Sequence, residues 1–332
     1  MKKILALTIA ICITSLLTAQ IKSNSETLLN SLHVKKVVVK FSKASYSKDN
    51  PKQEIYPPIQ VLEQEIVNGY PTKTTNYHNT NGLLKDKTNI KYDSAHREVE
   101  IVSVNAGTIN EHNTGIEDVQ KYSYDKEGNV TSASREYGGN NSYATYSYKY
   151  NEKKQIIEKT TIEGRANYTV HFTYNKNGDL VKINDGTKKD RGTWFDYEYY
   201  KSGKLKQKSK NTIEHTWQYD ENGNLTAELE PGKSFYYKYD DKGRIMEYTE
   251  SQQSGTFVTT IQFKYDSNDN LISEAILDGK LANGGYKYYT EKLKAYSYHD
   301  NKLLKEIIVY RERKLEEEKK YIFEKYFYEY SF

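Results

Sequence analysis

The nine residues Trp217–Leu225, WQYDENGNL, contain the pattern that decides the fold of this 332-residue chain. Trp217 and Tyr219 are two positions apart, so on a β-strand both side chains lie on the same face. Asp220 can accept a hydrogen bond from the backbone of a tight turn, and Gly223 can adopt the left-handed conformation that closes such a turn. A leucine then begins a second alternating strand. The stretch therefore predicts a β-hairpin with one apolar and one polar face.

This pattern recurs along the chain, with 20 to 33 residues between successive copies. The copies are Tyr122–Val130, Tyr148–Ile156, Phe172–Leu180, Tyr197–Leu205, Trp217–Leu225, Tyr237–Ile245, Phe263–Leu271 and Tyr296–Leu304. A single hairpin is barely stable in water, so neighbouring hairpins must pair edge to edge to bury their apolar faces. We predict an all-β fold in which tandem β-hairpin repeats form a long twisted antiparallel sheet, either open, spiral or partly closed.

Half of the repeat turns have Asp at their first position, and five of the eight have glycine at their fourth. The predicted structural turn residues are Asp125, Gly128, Gly178, Gly203, Asp220, Gly223, Asp240 and Gly243. The segment Asp266–Asn270 begins like an EF-hand calcium loop, but Leu271 stands where that loop needs glycine, and capping the turn accounts for the carboxylates by itself. We therefore predict a structural role for these residues.

The Tyr-Asp-x-x-Gly-Asn-Leu core, clearest at Tyr124–Val130, Tyr219–Leu225 and Tyr239–Ile245, resembles the YD repeat of the Rhs family. That family includes polymorphic-toxin shells, insecticidal toxin-complex subunits and teneurins, and the resemblance extends roughly from Val61 to the C-terminus. It implies an antiparallel sheet that spirals and, in large members, closes into a hollow shell. With fewer repeats and no recognisable toxin domain or self-cleaving aspartyl-protease motif, this chain looks like the small, free-standing, exported members found in Bacteroidetes.

Residues 1–19 have the layout of a secretory signal peptide. Lys2 and Lys3 precede the apolar run Ile4–Leu17, whose 14 residues are too few to span a bilayer as a helix. We expect cleavage after Ala19 and export to the periplasm, the cell surface or the medium.

Residues 20–60 are predicted to form an N-terminal segment distinct from the repeats. Ser23–Leu32 is typical of a short helix, and Val34–Phe41 alternates as a strand does. Ser42–Pro58 is rich in Ser, Lys, Asn and Pro, which indicates a linker. The repeat array then occupies residues 61–332.

Composition excludes several classes of function. The formal charge of +4 includes two lysines of the leader, so the mature chain is nearly neutral and we predict no nucleic-acid partner. The single cysteine, Cys12, lies in the leader, which leaves the mature chain without disulfides or thiolate ligands. The seven histidines show no recognised ligand spacing, and no nucleophile or phosphate-binding motif is present. We predict a protein that is not an enzyme and has no cofactor and no metal.

The 33 tyrosines divide into two groups. Those in phase with the repeat are predicted to be structural, whereas Tyr200, Tyr236 and Tyr289 are out of phase and should project from the polar face or lie in turns. Exposed tyrosines on a rigid sheet can stack on sugars or anchor a protein partner. We therefore predict a binding or scaffold module for carbohydrate or another envelope protein, with these three residues as candidate contacts.

Two other functions stay open. Alternating aromatics at Tyr326–Phe332 are typical of the closing strand of an outer-membrane β-barrel, which is the one alternative that involves a membrane. Against it, the repeat strands are expected to have about 5–8 residues, fewer than the ~9–11 of a membrane strand. The other alternative is a hydrolase acting on surface polysaccharide, which needs paired acids in a groove.

Overall fold

A computed structural model describes residues 26–47, 50–78, 80–105, 116–137, 142–184, 192–211, 214–252, 257–282, 285–312 and 320–332. The predicted signal peptide lies outside the described residues. No helix in the described part of the chain is long and apolar enough to cross a membrane.

One short helix, α1 (Glu26–Ser31), precedes 23 strands in the described residues. The strands are β1 (Lys36–Ser47), β2 (Asn50–Ile55), β3 (Ile59–Val67), β4 (Tyr70–Tyr77), β5 (Leu84–Tyr92), β6 (Glu98–Asn105), β7 (Ile116–Tyr124), β8 (Val130–Tyr137), β9 (Ser142–Tyr150), β10 (Ile156–Glu163), β11 (Ala166–Tyr174), β12 (Leu180–Asn184), β13 (Gly192–Tyr199), β14 (Leu205–Lys210), β15 (His215–Tyr219), β16 (Leu225–Glu230), β17 (Lys233–Tyr239), β18 (Ile245–Gln252), β19 (Phe257–Tyr265), β20 (Leu271–Ala282), β21 (Gly285–Tyr298), β22 (Leu304–Glu312) and β23 (Lys320–Ser331).

The strands pair as antiparallel hairpins in the order of the chain, which confirms the predicted repeat. In the hairpin of β15 and β16, Gln218 lies opposite Ala227 and Tyr219 lies opposite Leu225, so the register shifts by one residue beside the turn. The hairpin of β17 and β18 shifts at the equivalent place, next to Tyr239. A bulge of this kind is the expected partner of a type I turn that ends in a left-handed residue.

The sheet is closed by β1. Val39 lies opposite Leu62 of β3 on one side and opposite Tyr328 of β23 on the other. Strands β1 and β3–β23 therefore form a ring of 22 strands, a closed barrel. The open and spiral alternatives are wrong, because the N-terminal strand pairs with both ends of the array and leaves neither as a free edge.

The N-terminal segment contributes more strand than we predicted. The helix predicted at Ser23–Leu32 is α1, and the strand predicted at Val34–Phe41 is the first half of β1. The predicted linker Ser42–Pro58 instead contains the rest of β1 and all of β2. Among the described residues β2 pairs with β1 only, and an outer strand tolerates the proline at its second position.

Strand length does not separate this fold from a membrane barrel. Strands β1, β20 and β23 have 12 residues each and β21 has 14, more than the sequence led us to expect. These strands are longer than predicted because strand pairing extends beyond the aromatic and aliphatic residues that define each repeat.

One face of the sheet carries the aromatic residues of the repeats and the hydrophobic core. Tyr237, Tyr248 and Ile261 lie opposite one another on β17, β18 and β19, and all three are buried. They join Tyr296 and Leu304 in the larger core cluster. We call this face the inner face, because in a closed sheet the buried side is the inside of the barrel.

A second core cluster packs α1 against the closing strand. Leu29 of α1 meets Val37 and Val39 of β1 and Leu303, which follows the last repeat turn, and all four are buried. The helix therefore lies at the end of the barrel where the repeat turns are found.

The opposite face, the outer face, is hydrophilic. Cross-strand ion pairs join Lys91 to Glu100 at 2.6 Å and Lys238 to Glu247 at 2.6 Å. The lysine side chains of both pairs are mostly exposed. Alternation of apolar and charged residues along each strand thus separates a core from a solvated surface.

Successive hairpins are joined by tyrosine hydroxyls. The second tyrosine of a repeat donates its O–H to the carbonyl of the residue that begins the last strand of the preceding hairpin. These bonds of 2.7–2.9 Å join Tyr124 to Glu98, Tyr150 to Val130, Tyr174 to Ile156, Tyr239 to Leu225, Tyr265 to Ile245, Tyr298 to Leu271 and Tyr330 to Leu304. Burial raises the pKa of Tyr265 and of Tyr298 to about 12, so both phenols stay protonated donors at neutral pH.

The repeat turns share one hydrogen-bonding arrangement. Asp220 Oδ1 accepts the backbone N–H groups of Asn222 at 2.9 Å and Asn224 at 2.8 Å, and its Oδ2 accepts the side-chain amide of Asn224 at 3.0 Å. Asp125 and Asp240 bind the residue four positions later in the same way. The glycines at the fourth turn position all have positive φ, between 74° and 92°: Gly128, Gly178, Gly203, Gly223 and Gly243.

Opposite stability changes are expected at two equivalent turn positions. Lys154 occupies the glycine position of its turn with φ of 60°, whereas Gly223 has φ of 92° and open space where a Cβ would lie. Gly223→Ala should destabilise the fold by about 1 kcal/mol, and Lys154→Gly should stabilise it by up to about 1 kcal/mol. Urea unfolding of both variants measures this, and changes of the same sign would refute the shared turn geometry.

Removal of one tyrosine hydroxyl should show how much the hydrogen bond of that hydroxyl stabilises the fold, apart from the packing of the ring. Tyr239→Phe keeps the ring but loses the hydrogen bond to Leu225, so we expect a loss of about 1 kcal/mol in the free energy of unfolding. The control is Tyr236→Phe, because Tyr236 is 45% exposed on the outer face of the same strand. Equal effects of the two changes in urea unfolding would contradict the hydroxyl's role in joining hairpins.

Candidate functional site

The inner face changes character away from the repeat turns. Next to the turns it carries the aromatic residues, and beyond them it carries charged and polar side chains. On β15, Tyr219 and Trp217 are followed by His215, and on β16 the inner-face positions after Leu225 hold Glu228. We call this second region the polar zone of the inner face.

His215 is the most enclosed titratable group of the polar zone on β15. Its ring is 8% exposed and stacks on Trp217, with ring centroids 3.8 Å apart and planes 18° apart. Its Nε2 lies 2.7 Å from Glu228 Oε1 and 3.5 Å from Glu230 Oε1. The Trp217 indole N–H donates to the same Glu228 oxygen at 3.1 Å. We call His215, Glu228 and Glu230 the His–Glu cluster.

A lysine covers the aromatic side of this cluster. Lys208 Nζ lies 4.9 Å from the centroid of the Trp217 ring and 4.4 Å from that of Phe195. Burial lowers the pKa of Lys208, because the charged ammonium has lost part of its hydration. Cation–π contacts with the two rings offset part of this loss of hydration.

A second group of polar-zone residues lies on β7–β10. Arg135 binds Asp118 through two parallel hydrogen bonds, Nε to Oδ1 and Nη2 to Oδ2, both at 2.9 Å. Asp118 raises the pKa of Arg135 and so keeps the guanidinium charged. The guanidinium also lies 5.7 Å from the centroid of the Tyr137 ring.

Beside this ion pair is a cavity of about 280 Å³, which we call the arginine–tyrosine pocket. Its lining consists of Arg135, Tyr137, Tyr143, Ala144, Tyr146 and Glu163. Tyr137 is 47% exposed and Tyr143 is 52% exposed, whereas tyrosines that begin the repeat turns are more enclosed. Tyr137 and Tyr146 share the inner face with Arg135, whereas Tyr143 lies opposite Glu136 and borders the pocket from the outer face. The pocket therefore offers the rings of Tyr137 and Tyr146 beside hydrogen-bond donors and acceptors.

The three tyrosines predicted as contacts lie in different environments. Tyr200 occupies the first position of its turn, where other repeats have Asp, and its hydroxyl donates to the carbonyl of Tyr219 at 2.7 Å. Tyr236 lies on the outer face of β17, opposite Ala227 and Thr249, and is exposed. Tyr289 is part of β21, but its side chain lies outside the described residues. The structure does not bring the three together.

Sequence reasoning missed both polar-zone groups. The hairpin register is the feature that could have revealed the first group, because it places Trp217 opposite Glu228. This pairing brings His215 near both glutamates of the motif Glu-Leu-Glu at residues 228–230. In the second group, Gln120 of β7 lies directly opposite Arg135 of β8. Asp118 is two residues before Gln120 on the same face of β7, which brings it within reach of Arg135. Neither spacing matches a known linear motif.

Comparison with protein families gives one match. The family model described as Teneurin YD-shell matches residues 67–268, which is more than half of the chain. The matched residues run from the end of β3 to the turn between β19 and β20.

This chain spans only a small part of the nuclease and of the toxin that it matches. The tRNA3(Ser)-specific nuclease WapA of Bacillus spizizenii is 26% identical over 174 residues, which cover 51% of this chain and 6% of the nuclease. The structure of the Photorhabdus luminescens Tc holotoxin pore has 12% identity and a TM-score of 0.31, and the match covers 86% of this chain and 18% of that one. A porin-like protein from Bacteroides uniformis has 10% identity and a TM-score of 0.30, with 90% and 98% covered.

Proposed function

Because the chain belongs to the Teneurin YD-shell family, we propose that it is an exported, non-enzymatic YD-repeat barrel that binds carbohydrate in the arginine–tyrosine pocket. The observation that carries the proposal is the pair of inner-face rings, Tyr137 and Tyr146, beside the Arg135–Asp118 ion pair. Membership of the family accounts for the repeat fold, and the residues of the pocket account for the proposed binding of carbohydrate.

The pocket has the mixed chemistry that a sugar requires. Tyrosine rings present flat apolar faces, on which the C–H groups of a sugar ring can pack. The guanidinium of Arg135 and the carboxylates of Asp118 and Glu163 supply donors and acceptors for hydroxyl groups. Positive and negative groups lie side by side, so the pocket favours a neutral sugar over a strongly charged one.

Export and an envelope location are part of the proposal. They rest on residues 1–19, whose basic start and short apolar run are typical of a leader. A protein that leaves the cytoplasm meets surface polysaccharide directly, which agrees with a carbohydrate ligand.

The outer face favours water over lipid around the barrel. A membrane barrel presents an apolar band outward, and a lysine at the middle of that band costs about 2–4 kcal/mol. Here the outer face carries ion pairs such as Lys149–Glu158 at 2.7 Å and Lys238–Glu247 at 2.6 Å. These pairs support a binding barrel over an outer-membrane one, although the closed sheet is common to both.

Binding is also favoured over hydrolysis. A glycoside hydrolase needs two carboxyl groups free to exchange protons with substrate and water. In the polar zone Asp118 is held by Arg135, and Glu228 accepts hydrogen bonds from Trp217 while also contacting His215. Carboxylates held in this way suit orientation of a ligand better than proton transfer.

The proposal is tested with the mature protein, residues 20–332, on a glycan array, followed by titration with the glycan that binds best. We expect Tyr137→Ala and Tyr146→Ala each to weaken that binding by about tenfold, the weight of one stacked ring at roughly 1.4 kcal/mol. Tyr236→Ala is the matched control, since it removes an equally exposed tyrosine from the outer face.

Loss of binding in the two pocket variants with retention in Tyr236→Ala would support the pocket. Unchanged binding in both pocket variants, or an array on which the wild-type protein binds no glycan, would overturn the proposal. Loss in Tyr236→Ala alone would move the ligand to the outer face and equally contradict the pocket.

A further inference from the structure

We propose that the His–Glu cluster binds a divalent transition-metal ion, with Zn²⁺ as the representative ion, through His215, Glu228 and Glu230. This site is separate from the arginine–tyrosine pocket, because it is built on β15 and β16 and shares no residue with that pocket. It does not depend on the proposed carbohydrate binding.

The three ligand atoms are already close together. One nitrogen of His215 and one oxygen from each glutamate all lie within 4.8 Å of one another. Tetrahedral Zn²⁺ with bonds of ~2.0–2.2 Å holds its ligand atoms roughly 3.4 Å apart. The 3.5 Å between His215 Nε2 and Glu230 Oε1 fits this value, and Glu228 Oε1, at 2.7 Å, needs to retreat by less than about 1 Å.

Neighbouring groups fix the orientation of the ligands. The stacking of His215 on Trp217 sets the plane of the imidazole, and the Trp217 indole N–H holds Glu228 Oε1. Metal sites in proteins are oriented by such outer hydrogen bonds, which change metal affinity by about 10- to 100-fold. The cluster therefore differs from a chance meeting of surface carboxylates with a mobile histidine.

The charge of the site also favours a cation. Two carboxylates face one imidazole, and two of the nearby lysines are engaged elsewhere: Lys208 Nζ lies over Trp217, and Lys233 Nζ lies 3.6 Å from Glu250. Lys210 lies opposite His215 in the register of β14 and β15 and is the cation that an incoming metal would have to displace or tolerate. A divalent ion would balance the two carboxylates.

The ligand set selects the class of ion. Imidazole nitrogen suits Zn²⁺, Cu²⁺, Ni²⁺ and Fe²⁺, whereas Ca²⁺ and Mg²⁺ prefer a shell of oxygen alone. Three protein ligands leave a fourth tetrahedral position for water or a ligand on the inside of the barrel. An ion here would also join β15 to β16 at the end of the hairpin that is far from its turn.

The test uses the mature protein without an affinity tag, stripped with EDTA and titrated with Zn²⁺ in competition with a chromophoric chelator. We expect one Zn²⁺ per chain. The chain contains two tryptophans, so Trp194→Phe leaves Trp217 as the sole tryptophan reporter, and Cu²⁺ or Co²⁺ at His215 should quench its fluorescence. Zinc that fails to bind, or that binds without a stoichiometry near one, would overturn the site.

Variants locate the ion. His215→Asn and Glu230→Gln should each weaken Zn²⁺ binding at least tenfold and abolish the quenching. His171→Asn is the control, because His171 Nδ1 also lies near a glutamate, 3.9 Å from Glu158 Oε2, but the histidine is 55% exposed. Should His215→Asn fail to fold, Glu230→Gln decides the outcome, since Glu230 is partly exposed. Zinc affinity unchanged in that variant, or lost equally in His171→Asn, would contradict the assignment.

Discussion

The pairing of β1 with both ends of the repeat array is the constraint on which the rest of the molecule depends. A tandem array of hairpins has two edges, each with a row of unpaired backbone N–H and C=O groups that can recruit other chains. Val37, Val38 and Val39 of β1 lie opposite residues of β3 and of β23, so one strand satisfies both edges. Closure gives the sheet an inside and an outside, and only then do its two faces acquire different roles.

Once the sheet is closed, the tyrosines of the repeats serve to pack its inner face. The rings pack on the inner face near the turns, and the hydroxyls hydrogen-bond to the preceding hairpin, as Tyr239 does with Leu225. The same residue type therefore supplies apolar area and a polar tip. Beyond the aromatic residues, in the polar zone, charged groups such as Arg135 and His215 occupy inner-face positions.

The sequence predicted what local chemistry determines. Turns such as Asp220–Gly223 are set by hydrogen bonds within a few residues, and alternation around them specifies the hairpins. Closure of the barrel could not be predicted in the same way, because Lys36 pairs with Ser331 across nearly the whole chain. The sequence of a single strand does not specify so distant a partner. The prolines in the stretch 42–58 indicate a linker, but an outer strand such as β2 tolerates proline, and the sequence does not distinguish the two.

The candidate site was less predictable than the fold. Tyr200 was interpreted as a contact because it is out of phase, yet it fills the turn position of Asp and binds the carbonyl of Tyr219. Asp118 and Arg135 are 17 residues apart and meet only through the register of β7 and β8. Pairs of polar groups of this kind arise from pairing between strands, so they can be identified only when the register is known.

Cross-linking of β1 to β23 tests the closed barrel most directly. In a chain of residues 20–332, which does not include Cys12, Val38→Cys combined with Glu329→Cys places two thiols directly opposite each other. We predict a disulfide within one chain after mild oxidation, seen as a mobility shift on a non-reducing gel. Val38→Cys with Lys325→Cys is the control, because four residues along β23 move the second thiol about 13 Å away, beyond disulfide reach. Absence of the intramolecular disulfide, or equal yields from both pairs, would contradict closure by β1.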